Sequence, residues 1–312
     1  MGIPALATQK KAIKCVNSVI NMTVLTVIVL LLAFAGYALW DSKQIHQAAD
    51  KSQYAVYKPT AVDEGKSFQE LQALNAEVFA WLSVYGTNID YPVTQGQDNM
   101  KYVNTNAEGL YSLSGAIFLD YGASPNFSDF NSILYGHHME KKAMFGEIGS
   151  FAGRDMFDTR KYGNLYFDGK DHGIEFFAFV HTDAYDGTVF AGDARGEARQ
   201  AYLDNLLAKA IHKRDIGTTT EDRILLLITC SSASTNGRDI LVGRITRELY
   251  EDTFIDSETD NGRKQLGMYS WGEKSPPWPL MLILLLLLTA LIILLSVIRK
   301  KTKAKRKKGQ NK

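Results

Sequence analysis

Two long apolar segments constrain the fold of this chain more than any other feature of its sequence. Residues 19–40 contain no charged side chain, and residues 278–298 consist mostly of leucine and isoleucine. A helix rises about 1.5 Å per residue, so each segment is long enough to span the roughly 30 Å of hydrocarbon in a bilayer. We therefore predict two transmembrane helices, with residues 41–277 folded between them.

The basic residues around these segments predict how the chain crosses the membrane. Three lysines precede the first segment, and nine lysines or arginines follow the second. Because basic residues tend to stay on the cytoplasmic side, both termini, 1–18 and 299–312, are predicted to be cytoplasmic and the part between the helices extracellular. Removing these 12 from the 35 basic residues leaves 23 against 34 acidic ones, a net charge near −11 for the outer part. The basic tail fits attraction to anionic lipid in the membrane, and nucleic-acid binding is not expected.

Between the membrane segments, short apolar runs separated by Gly, Asn, Asp and Pro indicate a mainly β fold. Residues 41–66 are polar and predict a stalk or peripheral helix. A further helix begins near Ser67, and a one-sided apolar stripe predicts another over 197–211. The number of strands indicates a closed or nearly closed mixed β-barrel with peripheral helices. The predicted strands are 79–84, 88–93, 115–120, 132–135, 164–167, 174–182, 223–230 and 240–246.

Cys230 ends the last but one of these strands, and Cys15 is the only other cysteine. The predicted topology places Cys15 at the cytoplasmic edge of the first helix and Cys230 outside the cell, so the two cannot form a disulfide. A free cysteine is often a buried apolar residue without chemical function. An unpaired thiol is a liability in an oxidising compartment, however, which favours a functional role for Cys230.

A histidine and an arginine accompany this cysteine in the sequence. His137 lies in the segment Tyr135-Gly-His137-His138-Met139, and Arg238 follows Cys230 by eight residues. If the last two strands form an antiparallel hairpin, Cys230 and Arg238 face each other at the base of its loop. Arg244 would then lie roughly 20 Å further along, at about 3.3 Å per residue, so Arg244 and Arg247 are expected to be structural or solvated.

The three side chains together indicate thiol acyl transfer. A thiol with a pKa of about 8.5 is only a few percent thiolate at neutral pH, so it needs a neighbouring base or cation. His137 can provide one, and its imidazolium can later protonate the leaving amine of a peptide bond. Arg238 can donate hydrogen bonds to the substrate backbone or to a tetrahedral oxyanion.

Leu227-Ile-Thr-Cys230, Tyr135-Gly-His137 and Arg238 resemble the three catalytic motifs of the sortases, membrane transpeptidases of Gram-positive bacteria. The resemblance covers residues 67–249 and is strongest to the class B branch of that family. It implies an eight-stranded sortase-type β-barrel over 67–250, joined to the second membrane helix by a linker, 251–277. The stretches most similar to class B, besides a helix just before the cysteine strand, are 79–93, 115–120, 131–139 and 144–146.

The resemblance also implies a mechanism and partners. Cys230 would be the nucleophile, His137 the general acid and base, and Arg238 the third catalytic residue. The thiol would form a thioester with a sorting pentapeptide near the C terminus of a surface protein or pilin. An amine, from a pilin lysine or a peptidoglycan cross-bridge, would then resolve the thioester. This chemistry requires no metal and no organic cofactor.

The role in the cell stays open between pilus assembly and wall anchoring. A second, C-terminal membrane helix is typical of pilin-polymerising class C sortases, although the sequence has no Asp-Pro-aromatic lid motif upstream of the barrel. The arrangement with two membrane helices favours the pilus slightly. A cysteine hydrolase with the same three residues and a non-catalytic membrane accessory protein are the alternatives.

Other polar residues near these motifs receive simpler interpretations. Thr229 and Ser232 are candidate substrate-binding residues beside Cys230. His138 should point to the opposite face from His137, and the adjacent pair lacks the spacing of a zinc site. His172, His181 and His212 are interpreted as surface or loop histidines with no evident partner in the sequence. Asp120 and Asp239 are candidates for orienting a basic group, although such residues are more often turn or salt-bridge acids.

Two features resemble processing signals. Ala33-Phe34-Ala35 is similar to a signal-peptidase site, but the apolar stretch around it is longer than the core of an ordinary signal peptide, which favours an uncleaved anchor. The leucine-rich segment with its basic tail resembles a cell-wall sorting signal. The preceding Ser275-Pro-Pro-Trp-Pro279 contains no LPxTG-like pentapeptide, so a retained helix is predicted.

Overall fold

The computed structural model of the 312-residue chain describes residues 4–60, 66–192, 194–231 and 234–254. The predicted second membrane helix 278–298, the basic tail 299–312, most of the linker 251–277 and Ser232 lie outside these described residues. The chain divides into two units, with a boundary between Lys43 and Gln44.

The first unit contains most of a long helix, α1 (Pro4–Ala48), which includes the apolar segment predicted at 19–40. An 18-residue window within Ile13–Ala48 has a mean hydropathy of 2.4, and none of that window is buried. Among the described residues, α1 is the one helix long and apolar enough to cross a membrane, and a signal sequence near an N terminus shares both properties. The apolar helix is thus present, and its place in a membrane stays a prediction.

The second unit is built around one β-sheet, to which the described residues contribute nine strands. Short helices accompany it: α2 (Lys66–Leu74), α3 (Arg154–Thr159) and α4 (Ala198–Lys209). The strands are β1 (Val78–Val84), β2 (Asp90–Thr94), β3 (Ile117–Leu119), β4 (Asn131–Tyr135), β5 (Tyr162–Phe167), β6 (Lys170–Asp183), β7 (Ala210–Lys213), β8 (Arg223–Cys230) and β9 (Gly237–Thr246).

Eight of these strands close into a barrel. They follow the order β5-β1-β2-β3-β4-β8-β9-β6, and β6 pairs back with β5 to complete the circle. The pairs β2–β3 and β4–β8 are parallel, and the other neighbours are antiparallel. Closure leaves no open edge along most of the sheet. The predicted eight-stranded barrel with peripheral helices is confirmed.

The helix predicted over 197–211 is too long, because its last two residues lie in the ninth strand, β7. α4 ends at Lys209, and Ala210–Lys213 pair with the second half of the long strand β6. The first half of that edge is taken by β5, so the remainder offers unpaired backbone groups that β7 satisfies. Those hydrogen bonds outweigh the helical spacing of Ala210 and Ile211. β7 and residues 214–222 therefore separate α4 from β8, which the sequence had placed almost directly after the helix.

Both faces of β8 are buried, which explains its continuous apolar sequence. Leu225 and Leu227 belong to the larger core cluster, to which all eight barrel strands contribute side chains. Leu226 and Ile228 point to the other face and belong to a second cluster formed with α4. The burial ends abruptly at Cys230, which is exposed at the tip of the strand.

From Gln44 on, the segment predicted as a stalk or peripheral helix is part of the second unit. α1 continues to Ala48, and two short 3-10 turns follow at Lys51–Gln53 and Ala55–Tyr57. Ala49 and Tyr54 are buried, with 0% and 3% of their surface exposed. The first part of the predicted stalk is therefore packed on the fold and not extended in solvent.

Candidate active site

The hairpin of β8 and β9 places Arg238 directly across from Cys230. The two residues are partners in the antiparallel register, and Ser231 N–H donates to the Gly237 carbonyl at 2.8 Å where the loop begins. Paired residues in such a ladder have Cα atoms about 4.5 to 5.5 Å apart, and their side chains share one face. The predicted facing of Cys230 and Arg238 is confirmed.

His137 lies on the other side of β8, just beyond the end of β4. β4 and β8 are parallel, with Tyr135 opposite Ile228, and Gly136 N–H donates to the Ile228 carbonyl at 3.2 Å. Continuing this register by two residues brings His137 level with Cys230. Neighbouring strands lie about 4.8 Å apart, so this register places the backbones of His137, Cys230 and Arg238 side by side at one end of β4, β8 and β9.

The backbone before His137 requires a glycine. A β-carbon on Gly136 would lie only 2.7 Å from the Phe145 ring, which is fully buried. The Phe145 N–H in turn donates to the His137 carbonyl at 3.0 Å. The turn between these residues thus folds back on His137 and holds its backbone.

The ring of His137 has one defined hydrogen bond. Its Nε2 lies 2.8 Å from the carbonyl oxygen of Val103, in the segment between β2 and β3. A carbonyl can only accept, so Nε2 must carry a proton and donate it. In the neutral ring Nδ1 is then unprotonated and free to accept a proton. The half-buried ring is therefore held in one tautomer with one basic nitrogen available.

The thiol and the guanidinium are both accessible. Cys230 is free and exposed, as is Cys15, so neither cysteine is used in a disulfide. Arg238 is half-buried and donates one hydrogen bond, from Nη1 to the carbonyl of Gly237 at 3.0 Å. Among the described residues it has no carboxylate partner. Most of its N–H donors therefore remain available to a ligand beside the thiol.

Thr229 faces away from the thiol. Successive side chains of a strand point to opposite faces, so Thr229 shares its face with Leu227 and not with Cys230. It is 2% exposed, and its hydroxyl has no hydrogen-bond partner among the described residues. The structure therefore places this candidate behind Cys230, while Ser232, the other substrate-binding candidate, lies outside the described residues.

A pair missed by the sequence analysis lies beside Arg238. His181 Nδ1 is 2.8 Å from Asp239 Oδ1, and the two residues are partners in the β6–β9 register. His181 therefore has a partner that was not evident in the sequence. The two residues are 58 positions apart in the sequence, and no local sequence pattern indicates that their strands are neighbours. Asp239 thus contacts a basic side chain.

The other polar residues have structural partners. Arg244 Nη2 pairs with Glu175 Oε2 at 2.7 Å, which confirms its structural role. His172 stacks on Phe167, His212 lies 2.7 Å from the Ala152 carbonyl, and Asp120 accepts a hydrogen bond from Tyr135 at 3.2 Å. Burial, with a contribution from the Asp120 charge, raises the pKa of Tyr135, so this phenol, two residues before His137 in the sequence, stays neutral.

The position of a cavity does not by itself identify the candidate site at Cys230. A cavity of 630 Å³ lies where β8 begins, near Arg223, at the end of that strand opposite to Cys230. It is lined by charged side chains of both signs and contains no cysteine. Among the described residues, no group of three or more His, Cys, Asp or Glu side chains is placed to bind a metal ion.

Known proteins match both the sequence and this architecture. Residues 82–246 match the Sortase domain family. Sortase B from the type II pilus of Streptococcus pneumoniae is 47% identical, with a TM-score of 0.52 over 58% of this chain and 99% of that chain. A Streptococcus pyogenes class B sortase involved in pilus biogenesis is 39% identical, with a TM-score of 0.54 and the same coverage of both chains.

Curated relatives agree with the structural matches. Sortase B of Staphylococcus aureus is 28% identical over 184 residues, which are 58% of this chain and 75% of that protein. Sortase B of Listeria monocytogenes is 27% identical over 221 residues, covering 67% and 88%. The family match over residues 82–246 contains most of the barrel together with His137, Cys230 and Arg238. The chain therefore belongs to the sortase family and is a class B-like sortase, a cysteine transpeptidase.

Proposed function

We propose that this protein is a pilin-polymerising sortase whose catalytic residues are Cys230, His137 and Arg238. The observation that supports the assignment is the register of β4, β8 and β9: exposed Cys230 lies opposite Arg238, and the register of β4, continued by two residues, brings His137 level with Cys230. No other arrangement of a thiol with an imidazole and a guanidinium occurs among the described residues, because Cys15 lies in α1.

Acylation proceeds by attack of the Cys230 thiolate on the carbonyl carbon of the scissile peptide bond in a sorting signal. Arg238 donates hydrogen bonds to the oxyanion that develops in the tetrahedral intermediate. When the C–N bond breaks, the His137 imidazolium gives its Nδ1 proton to the departing amine. The products of this step are a thioester on Cys230, a neutral imidazole and a released peptide.

Deacylation runs the same steps with a different amine. A lysine amine attacks the thioester carbonyl, neutral His137 accepts a proton from the attacking nitrogen, and the Cys230 thiolate leaves as the new amide forms. The hydrogen bond from Nε2 to the Val103 carbonyl supports this cycle. It holds the ring in place while Nδ1 alone gains and loses the proton.

Two observations support a pilin as the substrate and a pilin lysine as the acceptor. The relatives that are 47% and 39% identical are both described as pilus sortases. The sequence also has two apolar segments, which we propose anchor the barrel twice, with both termini in the cytoplasm and the barrel outside the cell. Two anchors would hold the site close to membrane-bound pilin subunits. Anchoring to a peptidoglycan cross-bridge is the other outcome that the test below can give.

The proposal is tested with the full chain in detergent or nanodiscs, carrying Cys15→Ser so that Cys230 is its only thiol. The protein is incubated with a library of peptides that contain candidate sorting pentapeptides, and mass spectrometry detects the Cys230 thioester. Acceptors are then added separately: a lysine-containing pilin peptide and an oligoglycine cross-bridge mimic.

We expect a thioester and a ligated product that requires the lysine peptide. Ligation only to the cross-bridge mimic would support wall anchoring instead. Equal peptide release with and without an amine would indicate a hydrolase. Cys230→Ala should abolish every product, and ligation by that variant would remove Cys230 from the mechanism.

A further inference from the structure

The turn that follows His137 is unusually strained. Lys141, Lys142 and Met144 have φ angles of 57°, 62° and 52°, in the left-handed region that residues with a β-carbon avoid. They are three of the five non-glycine residues with positive φ in the described chain. A strained turn persists only where surrounding contacts enforce it, and such strain concentrates at functional sites.

One of the enforcing contacts is a buried phenol. The Tyr91 hydroxyl accepts a hydrogen bond from the Met144 N–H at 3.1 Å and donates to the Ala49 carbonyl at 2.8 Å. Tyr91 is 2% exposed, and burial raises its pKa to about 12. The hydroxyl therefore stays neutral across the working pH range and can make both bonds at once.

Ala49, the acceptor of the Tyr91 hydroxyl, lies in residues 44–58, which we call the juxtamembrane segment. Besides Ala49, it contributes Tyr54, whose ring packs edge-on against the Tyr91 ring with centroids 6.4 Å apart. Lys58 forms an ion pair of 2.7 Å with Asp90, the neighbour of Tyr91 on β2. His46 Nε2 also lies 3.9 Å from Glu140 Oε2, at the start of the strained turn.

From Met144 the contacts lead directly to His137. The next residue, Phe145, donates from its N–H to the His137 carbonyl at 3.0 Å and packs against Gly136. A chain of contacts therefore runs from the juxtamembrane segment through Tyr91, Met144 and Phe145 to the backbone of His137.

We propose that Tyr91 is a positioning residue, through which the docked juxtamembrane segment holds the strained turn 138–145 in place and so aligns His137 with Cys230. This inference rests on the proposed catalytic role of His137. It makes the part of the chain nearest the predicted membrane anchor a component of the catalytic apparatus. A barrel with this segment released would keep its fold and lose most of its activity.

The test uses the full chain with Cys15→Ser and follows alkylation of Cys230 by iodoacetamide as a function of pH. The key variant is Tyr91→Phe, which keeps the ring and removes only the hydroxyl. Tyr202→Phe is the matched control, because that buried phenol also donates to a backbone carbonyl, Val189 at 2.9 Å, but belongs to α4 and to the second core cluster. Thermal unfolding of both variants measures their loss of stability.

We expect Tyr91→Phe to lower the alkylation rate at neutral pH about five- to tenfold, the effect of one lost hydrogen bond, and to move the pH profile toward that of His137→Ala. With the sorting peptide identified above, kcat should fall while KM is unchanged. Tyr202→Phe should lose similar thermal stability and keep the wild-type profile. Lys141→Gly, which removes strain at an exposed position, should partly rescue Tyr91→Phe.

A Tyr91→Phe profile identical to that of Tyr202→Phe would overturn the inference. If Tyr91→Phe does not fold, Lys58→Met decides the matter, because it loosens the juxtamembrane segment from β2, and a wild-type profile for that variant is equally contradictory. Failure of the proposed function looks different: His137→Ala itself would then leave the alkylation profile and the ligation unchanged.

Discussion

Replacing Gly136 with alanine tests whether the packing behind His137 leaves any free space. The added β-carbon would lie 2.7 Å from Phe145 Cδ2, whereas ordinary contact begins near 3.4 Å, so the ring must move by about 0.7 Å. Gly136 does not have a positive φ, so the substitution is purely steric. Overpacking a buried position in this way costs about 1 to 3 kcal/mol. For a domain of this size, that lowers the melting temperature by about 2 to 12 °C.

The same shift should disturb His137, because Phe145 N–H donates to its carbonyl. We therefore expect Gly136→Ala to slow Cys230 alkylation as well as to lower the melting temperature measured by circular dichroism. Phe145→Leu removes the clashing ring atoms, so the double variant should be more stable than the two single effects predict, by at least about 0.5 kcal/mol. Gly187→Ala is the matched control, since a β-carbon there meets nothing within 4 Å. If Gly136→Ala behaves like this control in both assays, the packing argument is refuted.

Two further predictions follow from the charged groups. Arg238→Lys should lower kcat for ligation by about 10² or more, because a lysine cannot reproduce the fork of donors at the oxyanion; an unchanged kcat would contradict that role. Burial raises the pKa of Asp90, but attraction to Lys58 and hydrogen bonds from Lys58, Ser83 and Trp81 outweigh it and leave the pKa below its usual value. The carboxylate therefore stabilises the fold above the unfolded-state pKa of about 4, and this stability is lost as the pH falls through the lower folded-state pKa. Urea denaturation of Asp90→Asn at pH 7 should show a loss of about 2 to 3 kcal/mol that shrinks in acid; a loss independent of pH would argue against the charge.

Local sequence relationships were sufficient for the hairpin at the site. β8 and β9 are joined by a short loop, so pairing them fixed the register, and Cys230 necessarily faced Arg238. The apolar runs likewise predicted the barrel strands, because a strand buried on both faces needs apolar residues throughout. The error at β7 has a physical cause: Ala210 and Ile211 keep helical spacing, but the unpaired edge of β6 captured them.

Contacts between distant segments could not be read in this way. The position of His137 relative to Cys230 depends on the parallel pairing of β4 with β8. The His181–Asp239 pair likewise depends on β6 lying beside β9. Tyr91 carries no local mark of its two hydrogen bonds, to residues 42 and 53 positions away. The sequence around Tyr91 predicts only an ordinary buried strand.

The sequence by itself determined the apolar helix, the strands, the free thiol and the arginine across from it, because each depends on residues close together in the chain or on composition alone. Tertiary structure alone decided which strands became neighbours, where the imidazole lies, and how the juxtamembrane segment supports it. Barrel closure brings together residues that are distant in the sequence, and no local pattern predicts such contacts. Where a segment could form either a helix or a strand, an unpaired strand edge favours the strand, because its backbone groups need hydrogen-bond partners.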